Sequence, residues 1–406
     1  MIAAMLCRAL FLIAAALLAG AAGQSAAQGV EVTQLAAPDA FSTPGRATGL
    51  PPTLWAGASA QTARTVLPLL AAKPLSPAAA ALARRILATG APGPEGAGRD
   101  PVLAAARANA LMFQGDPKAA AAVLAHAPGL DRSSDLARAA AETALLAGDD
   151  ARACQVGAAL TVGRDETYWL KLRTYCQAIA GQTAQAQLTF ELVQAQVKDP
   201  TFTRLMGAKL AGAGNPGAAS LRNGLDYALC RSLGLDLAAA KPSASVAAAM
   251  AGADATALAM DPGAAPPDVA LLAEALARGE AVREPVFQAL LEAAKSADPK
   301  ARARGQAAVL LAAALMEPLS PAVRGEIAGL ATPEGRAPVG RALALEIAGQ
   351  QRLVGETALL VLWTSAEAGA PGPAIGDRVR MVRALHAVGL DADARAIAFE
   401  GLAGLK

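Results

Sequence analysis

The chain has 406 residues, 54% of them hydrophobic and only 3% aromatic, which excludes general disorder and requires a core of small side chains that lets helices approach closely. Lys plus Arg number 36 against 34 Asp plus Glu, with no long run of one sign, so neither a nucleic-acid stripe nor an acidic tail is indicated and no nucleic-acid partner is expected.

Residues 1–27 have the form of an export signal: Arg8, an apolar run from Ala9 to Leu18, then small residues ending in Ser25-Ala26-Ala27, with cleavage expected after Ala27. An uncleaved anchor would need roughly 20 apolar residues, more than this run supplies. Later apolar stretches are short and bounded by charge or proline, so no transmembrane segment is expected in the mature chain. Residues 28–58, with Pro38, Pro44, Pro51 and Pro52, read as an extended leader with little fixed structure.

Helical patterning begins at 59, with 59–73 and 76–89 as a first pair. Asp100-Pro101 and Asp116-Pro117 each combine an N-cap carboxylate with a proline at the first helical position and so start two more helices. Further helices are expected near 132–147 and 149–162, 165–180 and 182–197, then 200–213 and 216–233. The segment 236–267 loses charge, fills with Ala, Gly, Pro and Ser, and reads as a linker or loosely packed helix. Helices resume over 268–278, 284–296, 299–316, 321–330, 335–348, 355–368, 376–388 and 391–404, without a regular period. The fold class is therefore all-α, with a regular region over 59–235 and a less regular helical-repeat domain over 268–406. No alternating stretch calls for a sheet.

The regular region has a fixed period. Gly115, Gly148, Gly181 and Gly214 stand 33 residues apart, each between two alanine-rich stretches. A period in the low thirties marks helical hairpins that bury their apolar faces by stacking on copies of themselves. Seven residues before each glycine stand Ala108, Ala141, Thr174 and Gly207, and five after it Ala120, Ala153, Ala186 and Ala219. Small residues at these offsets, with turns such as Gly115-Asp116-Pro117 and Gly214-Asn215-Pro216, resemble the tetratricopeptide repeat family. The resemblance covers about 100–233 and is imperfect: eleven residues before the glycine, where the family carries an aromatic or leucine, stand Ala104, Ala137, Leu170 and Thr203. Related repeats of looser consensus, and alanine-rich superhelices that act on peptidoglycan, are also similar.

The resemblance implies a tetratricopeptide-like solenoid whose ligands lie against the first helix of each hairpin. Carried onto this chain, its groove positions are Val102, Ala105 and Asn109; Asp135, Arg138 and Glu142; Tyr168, Lys171 and Tyr175; and Thr201, Arg204 and Ala208. Tyr168, Lys171 and Tyr175 stand out as apolar area with hydrogen-bonding capacity, suited to a peptide or glycan. Trp169, Phe190 and Tyr227 are expected in the core.

Export would place the mature chain in an oxidising compartment. Cys154, early in one helix, and Cys176, late in the next, should sit at similar height on antiparallel neighbours, which permits a disulfide, the alternative being two buried thiols. Cys230 is then left free. Catalysis finds little support: His126 and His386 lie in different halves, no metal-ligand spacing or phosphate loop occurs, and no cofactor is expected. The expected function is a non-catalytic periplasmic scaffold that binds a protein or peptide partner in the bacterial cell envelope. A glycan-binding superhelix, working on or near peptidoglycan with a separate catalytic partner, is the alternative.

Overall fold

The computed structural model describes residues 39–212, 215–251, 260–316, 318–330 and 335–405. The export signal, the start of the leader and Gly214 lie outside these residues. Among the described residues the chain forms helices and no strand. The first half contains α1 (Ala60–Leu70), α2 (Pro77–Ala88), α3 (Pro101–Phe113), α4 (Pro117–Leu124), α5 (Ser134–Ala147), α6 (Asp150–Ala159), α7 (Thr167–Ile179), α8 (Thr183–Gln196), α9 (Pro200–Ala211), α10 (Gly224–Ser232) and α11 (Ala244–Met250).

Local chemistry explains the helix ends. The side chains of Asp100, Asp116, Ser133, Asp149 and Asp199 each accept a hydrogen bond from an amide in the first turn of α3, α4, α5, α6 and α9, satisfying donors that have no partner inside the helix. Gly148 ends α5 at φ 83°, a left-handed conformation that L side chains rarely adopt, and Gly115 and Gly181 take φ values of 89° and 73° at the equivalent turns.

Three successive hairpins result, α3 with α4, α5 with α6 and α7 with α8, joined by packing of α5 on α3 and α4 and of α7 on α6. The small residues Ala108, Ala120, Ala141, Ala153, Thr174 and Ala186 are all fully sealed, as close helix crossings require.

The fourth pair departs from the period. An Asx turn, with Asn215 accepting from the Gly217 amide at 2.8 Å, and the left-handed Gly217 (φ 68°) stop a helix from forming at 216. Of the expected helix 216–233 only α10 forms, capped by Asn223, and Ala219 lies outside it. Instead of continuing the stack, α10 packs on α5, and α11 follows it onto α3 and α5. Within the segment 236–267, expected as a linker or loosely packed helix, α11 lies on the first helices of two earlier hairpins, and 252–259 fall outside the described residues.

The leader over 39–58 is also unlike the expectation of little fixed structure. Phe41, Leu54 and Trp55 are buried, and the Phe41 and Trp55 rings meet edge to face at 5.8 Å. Arg107 of α3 is buried beneath them and donates five hydrogen bonds of 2.8 to 3.1 Å, to the carbonyls of Ala40, Phe41, Thr43, Leu87 and Thr89. Burial lowers its pKa to about 10.

The second half contains α12 (Ala270–Ala277), α13 (Glu284–Ala293), α14 (Pro299–Ala313), α15 (Pro321–Ala328), α16 (Val339–Gln350), α17 (Val354–Ala368), α18 (Ile375–Ala387) and α19 (Asp391–Ala403). It packs back on the first two helices, α17 on α1 and α2, and α19 on α2. Glu356 accepts from the Ser59 amide and the Thr62 hydroxyl, both at 2.8 Å, at the start of α1. Glu400 accepts from the Ala78 amide at 2.9 Å at the start of α2, where Ser76 makes no capping bond. Arg85 and Asp393 form an ion pair between α2 and α19. Pro38–Lys406 consequently form one compact unit across the 236–267 segment.

Candidate ligand-binding clefts

Two clefts lie on the first helices of the hairpins. The larger, about 540 Å³, is lined by Pro68, Ala71 and Ala72 beside α1, by Val102, Ala105, Ala106 and Asn109 of α3, and by Asp135, Arg138, Ala139 and Glu142 of α5. Five of its eleven lining residues are alanines and four are polar, and Val102 is 58% exposed. The six groove positions of the first two repeats therefore converge on one cavity. The contribution from the end of α1 has no counterpart in the repeat register and was not legible in it.

The smaller cleft, about 220 Å³, is lined by Arg138, Thr167, Tyr168, Lys171, Asp199, Asn223, Leu225 and Asp226. Three of its four charged residues, Lys171, Asp199 and Asp226, are in ion pairs. Lys171 meets Asp199 at 2.7 Å, and Arg222 bridges Asp199 at 3.1 Å and Asp226 at 2.5 Å. Burial pulls the Asp199 carboxyl upward, but Lys171, the Phe202 amide and Arg222 together outweigh it and hold the group below its ordinary range. Asp199, Asn223 and Asp226 were not among the groove positions. The Asp199-Pro200 pair and the Asn223 cap are the local signals that mark two of them, because a capping side chain sits at the mouth between helices.

Arg138 lines both clefts and lays its guanidinium over the Tyr168 ring, 4.6 Å from its centroid. Glu142 accepts from the Gly224 amide at 2.6 Å, an approach that requires glycine, since a Cβ at 224 would lie 2.9 Å from the Glu142 carbonyl. The other oxygen of Glu142 and the Tyr168 hydroxyl are both sealed from solvent beside one another without a well-formed hydrogen bond. Burial pushes the Glu142 carboxyl up, opposed by the Gly224 amide, Tyr168 and Arg138, and burial with the Glu142 charge pushes the Tyr168 hydroxyl well up.

The third and fourth repeats do not extend the larger cleft. Tyr175, expected in the groove, is fully buried, its hydroxyl donating to Asp150 at 3.0 Å while Arg231 of α10 meets the same carboxylate at 2.6 Å. Tyr175 thus lines neither cleft, and Arg231 of α10 shares its partner Asp150. Arg204 lines neither cleft and donates to the Ala218 carbonyl at 2.8 Å. Trp169 and Phe190 are buried, and Tyr227 is half-buried under Arg231.

Cys154 of α6 and Cys176 of α7 form a disulfide with Cα atoms 5.6 Å apart, joining the second and third hairpins. Cys230 is free and buried, its sulfur near the main chain of Ser220, and burial raises its pKa. His126 is exposed, and His386 meets Asp391 at 2.5 Å. Among the described residues no cluster of His, Cys, Asp and Glu has metal-holding geometry, and no helix is long and apolar enough to cross a membrane. Comparison of the chain with models of protein families, with curated proteins and with solved structures finds no match.

Proposed function

We propose that the protein is an exported, non-catalytic scaffold of tetratricopeptide-like hairpins that holds a protein or peptide segment in the larger cleft, in the cell envelope of a bacterium. One observation carries this reading: Val102, Ala105, Asn109, Asp135, Arg138 and Glu142, the positions at which the resembling family contacts ligands, line a single cavity. A floor of alanines admits a peptide backbone closely, and Asn109, Asp135 and Arg138 supply the few polar contacts that fix a ligand's orientation. The Cys154–Cys176 bond supports an oxidising compartment, since such bonds persist outside the reducing cytosol. The engagement of Lys171, Asp199, Arg222 and Asp226 with one another favours the larger cleft over the smaller as the place where a partner finds groups to contact.

The test is photocrosslinking in cells from a photoreactive residue at Asn109, with a second at Leu188, which is 68% exposed on α8 away from both clefts, as the control. A discrete protein adduct from Asn109 and none from Leu188 is expected. Equal adducts from both positions, or none from Asn109, would remove the reading.

A further inference from the structure

Two segments return over the inner helices, and they are held very differently. α10 is embedded: Leu225, Ala228, Leu229 and Cys230 are sealed, Glu142 accepts from the Gly224 amide, and Arg231 pairs with Asp150. α11 rests against α3 and α5, yet Val246 is its only fully buried side chain among the described residues. One hydrogen bond, from the Ser243 amide to the Leu221 carbonyl at 2.8 Å, ties 236–251 to the rest of the described protein. The other hydrogen bonds described for this stretch, such as the Val246 amide to the Ser243 hydroxyl and the Ala238 amide to Asp236, are internal. Its two charged residues, Asp236 and Lys241, are exposed and in no ion pair among the described residues. Gly234, in the left-handed conformation at φ 66°, separates this stretch from α10.

We propose that 236–251 is a displaceable cover, in which α11 occupies the inner surface of α3 and α5 until a peptide partner longer than the adjacent cleft replaces it. The inference rests on the reading of that cleft as a peptide site. The same two helices carry α11 and most of the cleft lining, and no residue of α11 lines the cleft, so α11 competes only with a ligand that extends beyond it. Among the described residues, opening uncovers sealed Val246 with half-buried Leu237 and Ala240 and breaks one hydrogen bond outside the segment, whereas opening α10 would uncover four sealed side chains and a buried carboxylate. Segments with few buried contacts open locally, without global unfolding.

The experiment uses the full oxidised chain carrying Val246→Cys, whose new thiol is labelled by a maleimide under native conditions, with buried Cys230 as the internal reference. Labelling of the thiol at 246 about 100-fold faster than at Cys230, at a rate insensitive to low urea, is expected of local opening. Labelling no faster than at Cys230 would overturn the cover. In a second measurement, Val246→Asp should raise the adduct yield from Asn109 about threefold or more while leaving the melting temperature of the main transition unchanged, because a surface already vacated removes the competition for the partner. An unchanged yield in a folded Val246→Asp protein would overturn displacement. Fast labelling with no adduct in either protein would remove the peptide reading and keep local opening; an adduct with a protected thiol at 246 would do the reverse.

Discussion

The hairpins from α3 to α8 and the helices from α12 to α19 reach their places by different routes. In the first region each hairpin packs on the next one in the chain, with small residues at fixed offsets from a turn glycine sealed between the helices. In the second region α17 and α19 pack on their neighbours in the chain and also on α1 and α2, and the second contact carries particular polar ties: Glu356 and Glu400 at two helix starts, Arg85 with Asp393, and the Gly355 amide on the Leu54 carbonyl at 2.9 Å. Repetition writes nearest-neighbour stacking; joining the two ends of a chain takes unique groups that no period announces.

The largest effect expected from breaking this contrast is at Arg107, which fastens the leader to the first hairpins. Arg107→Met leaves five carbonyls without their donor, and losing a buried charged hub should cost about 3–5 kcal/mol in a urea titration. A loss below about 1 kcal/mol would mean that the leader is not part of the cooperative unit. Within the stack, Cys154→Ala should remove about 3 kcal/mol under oxidising conditions, by the chain-entropy model for a loop of this size. Wild type and variant should melt together once reductant is present, and a gap that survives reductant would assign the loss to packing.

Glu356→Ala should cost about 1 kcal/mol, the usual worth of a helix cap, and should separate unfolding of the second half from that of the first in a calorimetric scan. A single unchanged transition would show that apolar packing alone joins the ends. The smallest effect concerns pH. Glu142 has a folded pKa above its ordinary 4.5, so its contribution is fully present below that value and is lost as pH rises through the folded pKa, where the folded chain must hold a buried carboxylate. Glu142→Gln keeps an acceptor for the Gly224 amide and should flatten the decline in melting temperature above pH 4.5; parallel pH profiles would exclude Glu142 as its source.

Much of the larger cleft was legible because the offsets from Gly115 and Gly148 report which side of α3 and α5 faces inward, and both repeats are regular. The same offsets from Gly181 also place Tyr175 on the inner side, yet it is core, its hydroxyl on the Asp150 carboxylate that Arg231 of α10 also meets. Nothing local to Tyr175 announces a helix that arrives from 50 residues further along the chain. Gly217 and Asn215 do carry the signal that the fourth pair fails, since an Asx turn followed by a left-handed glycine cannot continue a helix.

By itself the sequence determined the helical class, the starts of the capped helices, the turns at Gly115, Gly148 and Gly181, and the height match that lets Cys154 reach Cys176. These follow from signals within a few residues or between adjacent hairpins, where φ, ψ and capping chemistry are decided. Only the tertiary structure decided that Phe41 of the leader is buried against Arg107, that α10 and α11 return onto α3 and α5, and that carboxylates from α17 and α19 accept hydrogen bonds at the starts of α1 and α2. Those outcomes depend on which apolar surfaces remain uncovered once the hairpins have stacked, a property of the assembled set of helices and not of any one stretch of chain.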